Sequence, residues 1–321
     1  MRCRICNNSK QNKLYFVREM MFGFRDQFSY FQCSNCGCLQ ISDIPADMSR
    51  YYPETYYSFN TTVSKYEKNT FKKLCVRQRD RFAVSNKGIT GRLLYLMFPY
   101  NKPSLLSEIP LAENSRILDV GCGMGFLLYS LREIGFSELL GIDPYIDQDI
   151  KYNNGLEIKK QSIYEINEKW DLIMFHHSFE HMPDPFDVLQ SVSRLLNKNG
   201  VCLISIPTVS SYAWEHYGVN WVNLDAPRHF YLYSTDSIRI LAKKTDLVIE
   251  RMVYNSSEFQ FIGSEKYLRD IPLNSKQSYT SASSGALFTA KQIKRFKQRA
   301  KQLNKMNKGD SIAFFLRKIK K

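Results

Sequence analysis

Residues 115–128 read Ser-Arg-Ile-Leu-Asp119-Val-Gly121-Cys-Gly123-Met-Gly125-Phe-Leu-Leu: an apolar run, a turn with three glycines, then an apolar stretch at helical spacing. Glycine adopts dihedrals that side chains forbid and lets a backbone approach a ligand closely, so such a turn is a cradle. RILDV (116–120) predicts a strand, and FLLYSLREIG (126–135) a helix closed by Gly135. Beyond it, ELLGID (138–143), the weaker LEIKKQ (156–161), DLIMFH (171–176), GVCLISIP (200–207) and LVIERMVY (247–254) predict strands, with GDSIAFFLRK (309–318) the last. PFDVLQSVSRLLNKNG (185–200), stopped by Asn-Gly, SIRILAKKTD (237–246) and a basic stretch near 290–307 predict helices. Alternation of this kind is the pattern of βα units on a parallel sheet, an α/β protein.

The glycine spacing points to a ligand. A dinucleotide site uses G-x-G-x-x-G with a pyrophosphate over the helix N-terminus. Here the pattern is acid-x-G-x-G-x-G, with Asp119 two residues before Gly121. A carboxylate there suits an ammonium and repels a pyrophosphate. The second strand ends in Gly-Ile-Asp143, 22 residues after Gly121, where a carboxylate can accept both hydroxyls of a ribose. Pro144 and Tyr145 follow and can pack on one face of a purine. An acid for the ammonium end, a glycine turn and an acid for the ribose describe S-adenosylmethionine, with Asp119, Gly121, Cys122, Gly123, Gly125, Asp143 and Pro144 as its candidate site.

Five of the eight cysteines fall within the first 38 residues. Cys3-Arg-Ile-Cys6 and Cys33-Ser-Asn-Cys36 are paired CxxC knuckles with 26 residues between them. Four thiolates from two such knuckles converge tetrahedrally on Zn2+, and a closed four-sulfur site is structural. Cys38 is the possible substitute for Cys36. The ribbon strands KLYFVREMMF and QFSYFQC between the knuckles bury too little on their own, so a metal would supply folding energy.

The chain has 321 residues, 44% hydrophobic and 24% charged, with 15 Gly and 11 Pro, which excludes collagen-like and wholly disordered classes. No apolar run reaches the ~18–20 residues that span a bilayer, and MRCRICNNSK is too polar for a secretory signal, so the expected location is cytoplasmic. The net charge of +14 is unevenly spread: residues 287–321 carry twelve Lys/Arg and one acid, Asp310, and a second basic stretch runs from Lys65 to Arg92. A charge run is first of all a solvated helix face. Its functional readings are nucleic acid, phosphorylated ligands, or an anionic membrane met by the basic C-terminal region at the inner membrane face.

The order of motifs resembles the class I methyltransferases: DVGCGMG, GIDP, HHSFEHMPDP, GVCLISIP and the last strand GDSIAFFLRK. The resemblance implies a Rossmann-like doubly wound seven-stranded sheet over 111–321, preceded by a zinc-ribbon module (1–60) and a basic helical linker (61–110). Many members hold the adenine amino group with an acid after strand three. This chain has Gln161-Ser162-Ile163 there, which hands that task to Ser162, Ile163 or their backbone, while His177 lines the same pocket. More narrowly, CRIC…CSNCG, YYPETYYSF, EHMPDP and APRHFYLYS (226–234) are similar to bacterial zinc-knuckle methyltransferases associated with surface-polysaccharide synthesis. That likeness implies a sugar nucleotide or glycan acceptor, with His229 as general base and His181 as runner-up. Compared with the sugar C-methyltransferases, Arg228 replaces Glu and Ala226 replaces Tyr, which favours O-methylation over C-methylation. Arg228 is then free to bind an acceptor phosphate or carboxylate, while His216, Trp214, Tyr217 and Trp221 either wall the acceptor or belong to the core. An RNA-modifying methyltransferase is the further alternative.

Overall fold

A parallel strand covered on both faces is apolar along most of its length, and ILDV at 117–120, buried at all four residues and apolar but for Asp119, is such a strand. In the structure, a computed structural model that describes residues 1–53, 70–98, 103–275 and 287–319, it lies at the centre of a sheet. Along the chain come strands β1 (Lys13–Arg18), β2 (Gln27–Gln32) and β3 (Leu39–Ile41) and helices α1 (Thr70–Ser85) and α2 (Ile89–Met97). Next are β4 (Ile117–Val120), α3 (Phe126–Glu133), β5 (Leu139–Ile142), β6 (Ile150–Lys151), β7 (Glu157–Lys159) and β8 (Trp170–His176). The chain continues with α4 (Pro185–Leu195), β9 (Leu196–Pro207), α5 (Tyr212–Tyr217), β10 (Tyr231–Leu232) and α6 (Thr235–Lys244). It closes with β11 (Leu247–Tyr254), α7 (Phe259–Leu268), α8 (Ala290–Lys305) and β12 (Ser311–Lys318).

Eight strands hydrogen-bond in the order β11-β12-β9-β8-β4-β5-β7-β6. They are the seven expected strands plus β6, which turns back antiparallel on β7. β4 runs parallel to both neighbours, with Ile117 opposite Leu139 on β5 and Leu172 on β8. Ile117, Leu118, Leu172, Ile173 and Phe175 are all fully buried.

Contacts divide the chain into two compact units that do not follow its linear order. One comprises Met1–Tyr51, Phe179–Leu189 and Ser205–Phe314, the other Tyr52–Ser178, Gln190–Ile204 and Phe315–Lys321. The expected boundary at residue 60, and residues 54–60 of the aromatic stretch, lie outside the described residues. In the first unit the ribbon strands make a four-stranded sheet, β1-β2-β3-β10. Its fourth strand comes from the APRHFYLYS segment, Tyr231 pairing with Gln40 and Leu232 with Leu39. Two residues of strand are too short to show periodicity, so β10 was not readable in advance. Nor were α5, of six residues, and α7, of ten. Among the described residues no helix is long and apolar enough to cross a membrane.

One boundary departs from expectation for a clear reason. The helix predicted to run to Gly200 ends at Leu195, and Asn199-Gly200 lies inside β9. The buried stripe Val188, Leu189, Val192 and Leu195 uses up the helical period. Gly200 serves a close strand contact instead: a Cβ there would sit 2.9 Å from the Trp170 carbonyl oxygen. Gly200→Ala should therefore destabilise the protein by about 1–3 kcal/mol, read as a lower urea midpoint with an unchanged slope.

Candidate active site and cysteine centre

The glycine turn joins β4 to α3, and all three of its glycines have positive φ, 71° at Gly121, 54° at Gly123 and 69° at Gly125. Space also demands glycine: a Cβ on Gly121 would lie 2.5 Å from the Ser178 Cβ, and one on Gly125 would lie 2.3 Å from Ile158 Cδ1. The turn is held from the next strand, where Ile142 O accepts from Gly121 N (2.8 Å) and Cys122 N (3.3 Å). Ser178 Oγ donates to Val120 O at 2.6 Å.

Asp143 braces this turn. Its Oδ2 accepts from Gly123 N and its Oδ1 from Tyr145 N, both at 2.9 Å. Asp119 is buried in β4, 3% exposed. Cys122 is half-buried, with its thiol pushed well up by burial and then by Asp119 and Asp143. Pro144 and Tyr145 are exposed, and Tyr145 presents most of its ring to water. The structure thus brings Asp119, Gly121, Cys122, Gly123, Gly125 and Asp143 together at one end of β4 and β5.

The remaining predicted cofactor residues follow the neighbouring strands. Ser162 caps the turn Ile163–Glu165: its N–H and its hydroxyl both donate to Glu165 Oε2, at 2.7 and 3.0 Å. What Ser162 still offers is acceptor capacity at Oγ, the kind an amino group needs. Ile163 is buried, 3% exposed. His177 directly follows β8, is exposed, and has a φ of 52°, uncommon for a non-glycine residue and of a kind concentrated at functional sites.

The histidines at 181 and 229 belong to the other unit, and the residue between their loops decides their geometry. Arg228 is wholly buried. Its guanidinium donates to both Asp225 oxygens (3.0 and 2.6 Å), to Glu19 Oε1 (2.9 Å) and to Tyr51 O (3.2 Å). Burial alone would push the Asp225 carboxyl up, but Arg228 outweighs it and holds Asp225 below the usual carboxylate range. The expectation that Arg228 receives an acceptor phosphate or carboxylate is therefore corrected: it is committed to two internal carboxylates and out of contact with solvent.

On either side of Arg228 the imidazoles are fixed. His229 Nδ1 lies 2.7 Å from Asn223 O, and His181 Nδ1 lies 2.8 Å from Arg228 O. A carbonyl only accepts, so both Nδ1 atoms carry a proton. The rings meet edge to face, centroids 4.7 Å apart. Burial, reinforced by His181, lowers the His229 pKa to about 4, which makes it neutral at pH 7. Its Nε2 stands 3.9 Å from Glu180 Oε1 and from Asp225 Oδ2.

Of the aromatic wall, only His216 is exposed, stacked on Tyr212 at 5.2 Å. Trp221 is fully buried and donates to Asp310 at 2.9 Å, Trp214 lies 6.4 Å from it between ring centroids, and Tyr217 is buried and donates to Glu265 at 3.2 Å. These three are core, which decides between the two readings their sequence allowed.

Sequence reasoning missed Glu19, Glu180, Asn223 and Asp225. Glu19 opens the apolar turn Met20–Phe24 and accepts four of its N–H groups at 2.9–3.1 Å as well as Arg228. An acid heading an apolar, glycine-bearing run was the available signal. Glu180 stood in the quoted EHMPDP motif without a role.

Cys3, Cys6, Cys33 and Cys36 converge, their sulfurs all within 4.8 Å of one another. The Cys3–Cys36 and Cys6–Cys33 sulfurs are 3.6 and 3.5 Å apart, and these cysteines form no disulfide. N–H groups point at them, from Ile5 and Gln40 to Cys3 and from Cys36 to Cys33. Cys36 holds the Cys3 thiol well below its ordinary value, and the same contact pushes Cys36 up. Cys38 is buried outside this cluster, its sulfur near Leu39 O. The four residues fit a tetrahedral thiophilic ion.

Residues 93–251 match the family described as a methyltransferase domain. That segment is a methyltransferase domain. A ubiquinone biosynthesis O-methyltransferase of Azorhizobium caulinodans is 27% identical over 125 residues, 35% of this chain and 49% of that protein. The protein of the same name from Haemophilus ducreyi is 33% identical over 105 residues, 28% of this chain and 44% of its own length. The chain therefore spans about half the length of the curated relatives it matches. A solved SAM dependent methyltransferase from Archaeoglobus fulgidus is 18% identical with a TM-score of 0.41, covering 67% of this chain and 91% of that one.

Arg228→Met should destabilise the protein by about 3–5 kcal/mol, because it leaves the Asp225 and Glu19 carboxylates without their buried cation. Chemical denaturation checks this, and Glu19→Gln combined with Arg228→Met should cost less than the sum of the two single changes.

Proposed function

We propose that this chain is an S-adenosylmethionine-dependent methyltransferase that methylates an oxygen of its acceptor. The observation that carries the reading is Asp143, a buried carboxylate that braces the glycine turn from the end of β5. Asp119 would meet the ammonium end, the turn the methionine backbone, and Ser162 with Ile163 and Pro144 the adenine. S-Adenosylmethionine supplies an activated methyl on a sulfonium, so the chain's own residues need only hold, orient and deprotonate. Orientation in such a site is worth several kcal/mol through effective molarity. A positioned base adds ~10²–10⁴-fold.

His229 is the first choice for that base and His181 the second. Each has its Nδ1 proton on a carbonyl, and the low pKa of His229 makes it available at neutral pH but weakly basic. An acceptor hydroxyl of ordinary acidity therefore needs help from its surroundings. The relatives' names speak for O-methylation in ubiquinone biosynthesis. A sugar nucleotide or glycan hydroxyl is the finer reading, and it rests on the zinc-knuckle resemblance. Sugar C-methylation and RNA modification are its competitors. We further propose that Cys3, Cys6, Cys33 and Cys36 hold a structural Zn2+. The basic face of α8 would sit against an anionic membrane at the cytoplasmic side, or less favourably against nucleic acid.

Calorimetry should show S-adenosylmethionine binding that weakens at least ~100-fold in Asp143→Ala, the loss of two hydrogen bonds to a charged group; unchanged affinity would remove the site assignment. Incubation with sugar nucleotides, quinol precursors and RNA, read by mass, identifies the acceptor: methyl gain on RNA alone would overturn the small-molecule reading. Purified protein should carry zinc at the cysteine cluster, and Cys6→Ser should lose that ion and lower the melting temperature.

A further inference from the structure

We propose that Glu180, His181 and His229 form a second metal centre, one that takes a divalent first-row transition ion through nitrogen and oxygen. One ligand atom from each of the three lies within 4.8 Å of the others. The set is two imidazoles and one carboxylate, the donor chemistry that suits zinc, iron or cobalt and leaves coordination positions open. Magnesium and calcium prefer all-oxygen shells, so they are disfavoured here.

The geometry around the set supports it independently. Metal-binding histidines give their other ring N–H to a carbonyl or carboxylate, which fixes the tautomer and aims the lone pair. Both histidines do so: His229 Nδ1 meets Asn223 O at 2.7 Å and His181 Nδ1 meets Arg228 O at 2.8 Å. Those carbonyls are themselves held, since Asn223 donates its side-chain amide to Asp310 at 2.7 Å and Arg228 is clamped by Asp225 and Glu19. The His229 Nε2 to Glu180 Oε1 distance of 3.9 Å is too long for a hydrogen bond. It is within the roughly 4.3 Å that two ligands can span across one ion when each bond is ~2.0–2.2 Å. Asp225 is as close to His229 Nε2, but both its oxygens are taken by Arg228, which leaves Glu180 as the carboxylate of the set. His181 is partly exposed, so an ion can reach the centre from that side.

The proposal stands apart from the methyl-transfer reading and has one consequence for it. An ion and a histidine base exclude one another, since both need the Nε2 lone pairs. A filled centre would acidify a hydroxyl placed on its open position as a Lewis acid, in place of proton removal by His229.

Zinc is to be counted per chain in the full-length protein after equilibration with the ion and gel filtration, for the wild type, Glu180→Gln and His181→Ala. The expected result is two zinc ions in the wild type and one, at the cysteines, in each variant. One ion in the wild type, or two in both variants, overturns the proposal. A measurement on the unaltered protein guards against misfolded variants: with zinc filling the cysteines, added cobalt should bind with d–d absorption and no sulfur-to-cobalt charge-transfer band. A sulfur band, or no cobalt bound, overturns it as well. S-Adenosylmethionine affinity, measured beside these, reports on the methyltransferase reading separately.

Discussion

A guanidinium with no access to water, that of Arg228, is the constraint around which one whole unit is arranged. Removing such a charge from water costs several kcal/mol, and the interior offsets this only when every donor is matched. Here the matching partners come from three distant stretches: Asp225 from its own loop, Glu19 from the end of β1, and the Tyr51 carbonyl from beyond the ribbon. The strand that follows Arg228, β10, closes the ribbon sheet on Gln40 and Leu39. Tyr30 donates to His229 O at 2.8 Å from the middle of that sheet. The ribbon is thus built together with the loop that carries His229, and the cysteine cluster lies in the same unit.

In the other unit a single carboxylate has the comparable place. Asp143 ends β5 and holds Gly123 and Tyr145, so the donor turn and the acid that would read the ribose are one rigid piece. The steric limits at Gly121 and Gly125, set by Ser178 and Ile158, keep that piece free of side chains. A cofactor site of this kind is preorganised by the strands that flank it, which is how binding energy is kept for orientation.

The histidine centre shows how burial changes a residue's chemistry. His181 and His229 have their Nδ1 protons given to carbonyls, and the low pKa of His229 comes from removal of water more than from any charge. A buried imidazole that stays neutral, as His229 does, is a lone-pair donor suited to holding a proton briefly or an ion persistently. The choice between those uses is set by what the acceptor requires of the site.

Periodicity and glycine chemistry, both local, made the sheet strands, the β4 turn, Asp119 and Asp143 legible in the chain, and the cysteine spacing revealed the knuckles. Those features carry their physics within a few residues. The stop of α4 at Leu195 was not legible, because Gly200 is required by a carbonyl on another strand. The fates of Arg228 and Trp221 were also hidden: a cation or indole beside a motif histidine looks like a ligand contact until Glu19 and Asp310 arrive from far along the chain. Sequence by itself determined the α/β class, the glycine cradle and the four-cysteine set, since strand period, turn dihedrals and chelate spacing are short-range properties. Only the tertiary structure decided which charges are buried together and which histidine lone pairs face Glu180, because burial and pairing depend on residues that meet only after folding.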